Sequence, residues 1–552
     1  MTEHLSCDVC RRSKIRCTKD KPKCARCVVT GSECTYSARK KRKTRTKKPL
    51  DKLLERLEKL ESHISTGHAS NETPPSQTQS PQILNSDQSP SLEVADQAQP
   101  VHNDSFLPDA AASVLPDFPS IGSTPDLITT PFSPFAAEDA HSSLGLSKEL
   151  AQQWLNAALD TAFFEMFLGL VDTDAIRALP HIIESPHVRV DASLAIVYYF
   201  LMFQGWTLAG GIEHKAWGSK VFRHCLYLAP DWTKKEDPTL VDFTAAAFLS
   251  WMGIENFDRR SAWKAHCQAS YLSDRLGLTE YEQYPDEDGW LAENKRIMFW
   301  QLLFSECVFR IFYGKPAIIT SRSWQVNLPT AAITAARDKA NASLATSFMV
   351  TTRLSLVTLE SFSVLDNANH TMAEVREGLT KCVQEVSAIL ADWKLGESID
   401  TEHNSFERWI YADVYIYGHS LIVFWERKIG ELGHGGPSQL AVESSRKVLG
   451  TILKVSEADA KSGNDLMIYT GSVALISFYP MLAFFHLYNL ILLDADGETS
   501  ELDSKLLEQF AHIMVEGVKA RGLDDVMPFA ESIYQMTSKE GLRGISSPGI
   551  SL

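Results

Sequence analysis

Six cysteines in the first 34 residues constrain this chain more than any other feature: Cys7, Cys10 and Cys17, then Cys24, Cys27 and Cys34. Adding 17 to each of the first three gives the second three, so one half-motif is written twice. Cys-x2-Cys places two thiolates one helical turn apart, where both reach a single ion from one face, and a third sulfur follows after a short loop. Structural zinc takes four ligands, so two ions need eight ligand positions, and six sulfurs fill eight only if two of them bridge. The spacing predicts a compact binuclear cluster. Its alternatives are disulfides, or one ordinary zinc site with spare cysteines. Disulfides require an oxidising compartment, and Met1-Thr2-Glu3-His4-Leu5 runs into the motif with no secretory pattern.

The cysteine pattern, with Arg11-Arg12-Ser13-Lys14-Ile15-Arg16 inside it and Pro22 in the middle loop, resembles the fungal Zn2Cys6 binuclear-cluster transcription factors. The resemblance covers about the first 35 residues. It implies two Zn2+ ions bridged by Cys7 and Cys24, and a helix after the second cysteine that enters the major groove of double-stranded DNA. At the position of Lys14 it implies a lysine that reads guanines of a CGG-like triplet. Lysine donating to guanine O6 and N7 is a common specific base contact, worth ~1–3 kcal/mol of discrimination. Ser13 departs from the family pattern, where a second basic residue is frequent. Arg11, Arg12, Arg16, Lys19, Lys21 and Lys23 read as phosphate-facing, positioning the module without reading sequence.

A net charge of −15 argues against a nucleic-acid partner until its distribution is considered. Residues 1–48 hold sixteen Lys or Arg against four acids, a surplus of 12, which leaves −27 for the rest. A basic head on an acidic body suits a regulator tethered to DNA. Within the head, Arg39, Lys40, Lys41, Arg42, Lys43, Arg45, Lys47 and Lys48 form a run that cannot pack. It suits phosphate tracking and nuclear import together, and so predicts a nuclear protein.

Pro49 then opens a short helix in which Leu50, Leu53, Leu57, Leu60 and Ile64 fall at a and d positions over about two heptads. With the family resemblance this implies a homodimer on two half-sites, their spacing set by the linker. From about Ser65 to Leu146 the character changes: residues 60–147 have no Lys or Arg, eleven acids and eleven prolines. Such composition predicts disorder. Asp104-Ser105-Phe106-Leu107 and Leu115-Pro116-Asp117-Phe118 set aromatics among acids, the pattern of an activation segment that contacts the transcription machinery, and a plain spacer is the alternative.

From Ser147 the period becomes helical. Between Glu374 and Leu395, apolar residues at 375, 379, 382, 383, 386, 389, 390 and 393 make one stripe. The expected organisation is a Zn2Cys6 domain over 1–36, a basic linker over 37–49, a coiled-coil helix over 50–64 and a disordered linker over 65–146. A large all-α domain over 147–540, in one body or two packed lobes, and a tail over 541–552 complete it. Leu466–Leu493 and Ala195–Gly211 are apolar runs of spanning length, but Gly471, Pro480, His486 and Asn489 interrupt the first, and both are expected to be core helices rather than membrane spans. Cys225, Cys267, Cys307 and Cys382 lack ligand spacing and read as reduced core residues.

Ala262-Trp263, Glu293-Asn294-Lys295-Arg296-Ile297-Met298-Phe299-Trp300 and Tyr313-Gly314-Lys315-Pro316 resemble, in order, landmarks of the fungal-specific transcription factor regulatory domain. Glu306, at a position where that family more often has Asp, is expected to pair with Lys295 and Arg296. No nucleophile elbow, HExxH, Walker or dinucleotide motif is present, so no enzyme is expected. The aromatic segment Trp409–Trp425, with Tyr411, Tyr415, Tyr417 and His419, reads as core or as the lining of a small-molecule effector site. The function expected is a zinc-dependent regulator of RNA polymerase II genes, with a ligand-sensing repressor or chromatin-tethered scaffold as the alternative.

Overall fold

In the computed structural model the described residues are scattered positions within 10–35 and most of 144–538. Inside the latter span, stretches such as 162–166, 281–288, 330–341, 461–475 and 494–499 lie outside them. The basic linker and the leucine helix over 50–64 fall wholly outside, and the acidic segment does so up to residue 143. The chain divides into two compact units, Met1–Lys52 and Leu53–Leu552. The first contains α1 (Ala25–Val29) and the buried cysteines discussed below.

The second unit is helical, with no strand among its described residues. It begins with α2 (Lys148–Leu159), capped by the Ser147 hydroxyl, and α3 (Thr173–Ile182), capped by the Asp172 carboxylate. Both pack on α4 (Ala192–Ala209), as does α5 (Trp217–Leu228). In α4 eleven of 18 residues are buried and none is charged, because neighbours cover it all round. At its closest approach to α2, Gly205 leaves no room for a side chain: a Cβ there would sit 1.8 Å from the Trp154 carbonyl oxygen.

A 3-10 turn (Trp232–Lys234) leads into α6 (Leu240–Glu255), which Thr239 and Asp242 close with a reciprocal capping box. Asp242 also accepts from Ser193 Oγ at 2.6 Å and from Lys235 Nζ at 2.8 Å, and Trp232 Nε1 donates to the same serine at 2.9 Å. Burial opposes its charge, but these donors prevail and hold the carboxyl below its usual range. A sharp turn at Phe257, φ 58°, connects α6 to α7 (Arg259–Arg275). Twelve of the 17 residues of α7 are buried although the helix is polar.

The remainder comprises α8 (Gly289–Phe312), α9 (Ala342–Leu365), α10 (Met372–Asp392), the short α11 (Leu395–Thr401), α12 (Ser405–Glu431), α13 (Gln439–Ala460), α14 (Met481–Leu493), α15 (Ser500–Arg521) and α16 (Met527–Thr537). They share one core, from Cys307 on α8 to Ile533 on α16. In α10 the expected stripe faces inward: Leu379, Cys382, Val383, Val386, Ile389 and Leu390 are buried, with Val375 and Trp393 half-buried at its ends. Helix α15 returns to the first helices. Arg521, 1% exposed, reaches Glu255 Oε2 through both Nη atoms at 3.2 Å, and Gln204 donates to the other oxygen at 2.9 Å. The body is therefore one compact unit and not two lobes.

Two described helices, α4 and α9, are long and apolar enough to cross a bilayer, and 67% and 61% of their apolar windows are buried against the rest of the protein. Helix α14 begins only after Pro480 and, at 13 residues, is too short to span. The pairing expected for Glu306 is corrected. Arg296 binds Glu293, one turn away, whereas Glu306 accepts the Ile318 N–H at 2.8 Å and pairs with His266 Nε2 at 2.8 Å. Ten residues of helix separate Glu306 from Arg296, about 15 Å, which no side chain covers.

Candidate metal centre

Local backbone geometry brings the cysteines together. Cys24 stands at the entry of α1, where the Val28 N–H donates to its carbonyl at 3.1 Å, and the Ala25 N–H is met by Thr18 Oγ1 at 2.9 Å. Cys27 lies on the helix itself, one turn from Cys24. The helix stops at Gly31, whose φ of 65° is the left-handed value a helix C-terminus favours, and the chain turns back to bring Cys34 to the site.

The sulfurs fall into two triads, Cys10, Cys17 and Cys24, and Cys24, Cys27 and Cys34, each with all its Sγ atoms within 4.8 Å of one another. Cys24 belongs to both. Tetrahedral zinc with Zn–S bonds of ~2.3 Å has S···S edges of about 3.8 Å. Cys10 Sγ and Cys24 Sγ stand 3.8 Å apart. Cys24 N–H donates to Cys34 Sγ at 3.3 Å. Cys10, Cys24 and Cys27 are at most 1% exposed, and Cys17 is 8% exposed. Four buried sulfurs and the half-buried Cys34, gathered around a shared member, suit two zinc ions. Zinc here supplies cross-links in place of a hydrophobic core, which so short a segment lacks.

Of the other expected site residues, Lys23 is described and exposed. Cys7, Lys14, Arg11, Arg12, Arg16, Lys19 and Lys21 lie outside the described residues, as do the basic run from Arg39 to Lys48 and the leucines of the dimerisation helix. The +17 repeat sets Gly31 against Lys14, and Val28-Val29 against Arg11-Arg12. Val28 and Val29 are 62% and 86% exposed, so the second half carries the metal geometry without the basic side chains of the first.

These thiolate triads define a binuclear zinc module. Residues 5–43 match the fungal Zn(2)-Cys(6) binuclear cluster domain, and the N-terminal unit of this chain is such a domain. Among curated proteins, the transcriptional regulator claA of Penicillium crustosum is 46% identical over 52 residues, 9% of this chain and 11% of its own length. The aflatoxin biosynthesis regulatory protein of Aspergillus flavus is 41% identical over 80 residues, 13% and 18% respectively. The depudecin biosynthesis cluster-specific transcription activator DEP6 of Alternaria brassicicola is 38% identical over 64 residues, 12% and 10%. The chain thus spans less than a fifth of the length of these relatives. No solved structure matches it.

In the body, the aromatic segment of α12 is mostly core: Trp409, Tyr417 and Trp425 are buried, Tyr411 and Tyr415 half-buried. His419 contacts Ser444 Oγ at 3.2 Å, and burial followed by the nearby Lys447 charge lowers it to about 3, so it is neutral. The four body cysteines are buried free thiols, as expected. Sequence reading missed Asp413, on the same helix between buried Ala412 and Val414. Desolvation, with the Glu255 charge adding to it and a hydrogen bond from Tyr479 opposing it, raises its carboxyl from 3.8 to about 7. An acid amid aromatic residues, and the one Asp, Glu, Lys or Arg between Trp409 and Trp425, was the available signal.

Proposed function

We propose that the chain is a zinc-dependent, sequence-specific DNA-binding transcription regulator acting in the nucleus. The observation that carries this reading is the pair of thiolate triads sharing Cys24, inside the segment that matches the binuclear cluster domain. Cys7 completes the ligand set and bridges the two ions with Cys24. Lys14 reads guanine in a CGG-like triplet, while Arg11, Arg12, Arg16, Lys19, Lys21 and Lys23 contact phosphates. The run from Arg39 to Lys48 tracks the backbone and directs import. Leu50, Leu53, Leu57, Leu60 and Ile64 pair two copies over two half-sites. Two of the relatives named above serve biosynthetic pathways, which supports a pathway-specific activator. The helical body over 147–540 is its regulatory part, and a small-molecule effector bound there is the second reading, favoured by the buried acid and aromatic rings around Asp413.

Binding to random duplexes, selected and sequenced with and without a zinc chelator, tests the first reading. Chelator-sensitive enrichment of paired CGG-like triplets is expected, and enrichment that survives zinc removal refutes it.

A further inference from the structure

Helix α1 has no side-chain cap of its own. Ala25 is its first residue, so the cap position falls on Cys24, whose sulfur is turned into both triads and cannot also close the helix. The oxygen that meets the Ala25 N–H, at 2.9 Å, comes instead from Thr18, seven residues back and directly after Cys17, the third cysteine of the other half. Thr18 is exposed and takes no part in the buried cluster of cysteines, so the hydroxyl is what it contributes.

Cys24 is thereby held from three directions. Its own N–H donates to Cys34 Sγ at 3.3 Å, its carbonyl accepts the Val28 N–H at 3.1 Å, and the peptide that follows it is pinned by Thr18. The first two contacts lie within the second half of the repeat, and the third reaches across from the first. It therefore fixes where the shared sulfur stands relative to Cys17, the neighbour of Thr18 in sequence, and to Cys10, 3.8 Å from Cys24. A sulfur that serves two tetrahedral ions tolerates little displacement, since a shift that suits one set of ligands spoils the other. The repeat makes the arrangement reciprocal: adding 17 carries Thr18 to Thr35 and Cys7 to Cys24, so a threonine follows the third cysteine of each half. Thr35, like Thr18, is exposed beside its cysteine.

We propose that Thr18 is a positioning residue for the shared ligand: its hydroxyl, supplied by the first half, sets Cys24 so that one sulfur serves both ions, and Thr35 does the same for Cys7. This deepens the zinc reading and rests on two ions bridged by Cys24 and Cys7. Metal binding and folding are one equilibrium in so small a module, so a lost cap is read as zinc that is held more weakly and leaves faster.

The test uses full-length zinc-loaded protein mixed with an excess of a colorimetric chelator, with zinc content measured before mixing and the rate of release after it. Thr18→Val keeps the branched shape and removes the oxygen, whereas Thr18→Ser keeps the oxygen. Wild type and Thr18→Ser should hold two ions and release them alike. Thr18→Val should release zinc roughly twofold to thirtyfold faster, the range expected for a lost helix cap, and should release both ions together because the sulfur is shared. Thr35→Val should behave in the same way. A valine variant already short of zinc, beside a serine variant holding both ions, supports the same conclusion, far-UV circular dichroism establishing that the helical body has folded in each. Release unchanged in Thr18→Val overturns the role of Thr18, as does acceleration confined to one ion, or a serine variant as fast as the valine one. Thr35→Val at the wild-type rate overturns the reciprocal role. One ion instead of two in the wild-type protein refutes the bridged pair and the proposal together, whereas two ions with unchanged valine kinetics refute the proposal alone.

Discussion

Replacing Asp413 by Asn should stabilise the body, and by an amount that depends on pH. Burial raises the carboxyl from 3.8 to about 7, so the folded protein holds this proton more tightly than the unfolded chain does. The stability contributed by the protonated acid is fully present below pH 3.8 and is lost progressively as pH rises to about 7. At ~1.36 kcal/mol per pH unit, the shift amounts to about 4 kcal/mol at pH 8, an upper limit because water penetration and relaxation around the charge reduce it. Asparagine keeps the shape and an acceptor for Tyr479 and carries no charge at any pH. Urea unfolding of wild type and Asp413→Asn, followed by circular dichroism at pH 5 and pH 8, gives the difference. Groups remote from Asp413 are the same in both proteins and cancel; those facing it are Glu255, Tyr417 and Tyr479. The variant should gain at least 1–2 kcal/mol more at pH 8 than at pH 5, an order-of-magnitude expectation from the same linkage. Equal gains at the two values would mean that Asp413 titrates like a surface acid, and its desolvation in the fold would be refuted.

Cys24→Ala should abolish binding of both zinc ions, whereas Cys27→Ala, at an unshared position, should lose fewer equivalents on titration with a colorimetric chelator. Lys14→Ala should relax triplet preference by ~1–3 kcal/mol, while Lys41→Ala should weaken all duplexes alike and reduce the salt slope by about one. Glu306→Ala strands His266 and the Ile318 N–H in the core and should cost ~3 kcal/mol or more, read as a lowered urea midpoint. Gly205→Ala should destabilise the body strongly in the same assay, because its Cβ would meet the Trp154 carbonyl at 1.8 Å.

What was legible in the sequence was local. Spacing alone gathers the cysteines into triads, because one helical turn and a short loop set their reach. Helix α10 was equally readable, since one face is wet and its apolar residues keep a 3.6-residue period. Periodicity fails once every face is covered. Helix α4 reads as a membrane-length run because no polar side survives to reveal its phase. Helix α7 errs in the opposite direction, its Lys264, His266 and Gln268 suggesting a surface helix although all three are buried. Pairings between distant residues were out of reach. Glu306 finds His266 forty positions away, and only the fold decides that it does so in preference to a basic residue on its own helix.

The bond from Arg521 to Glu255 spans 266 residues, and this separation has a consequence for how the protein is made. Translation delivers the zinc module first, and its ligands are complete within 34 residues, so it can fold on metal while the ribosome is still working. The body cannot close until α15 has emerged, about 310 residues after α4. At ~5–20 residues per second, the uncharged α4 waits roughly 15 to 60 seconds for it. During that interval each nascent chain carries a finished head and an unfinished, adhesive body. Demand for chaperones should therefore track the rate of elongation through α7 to α15 more closely than the supply of zinc.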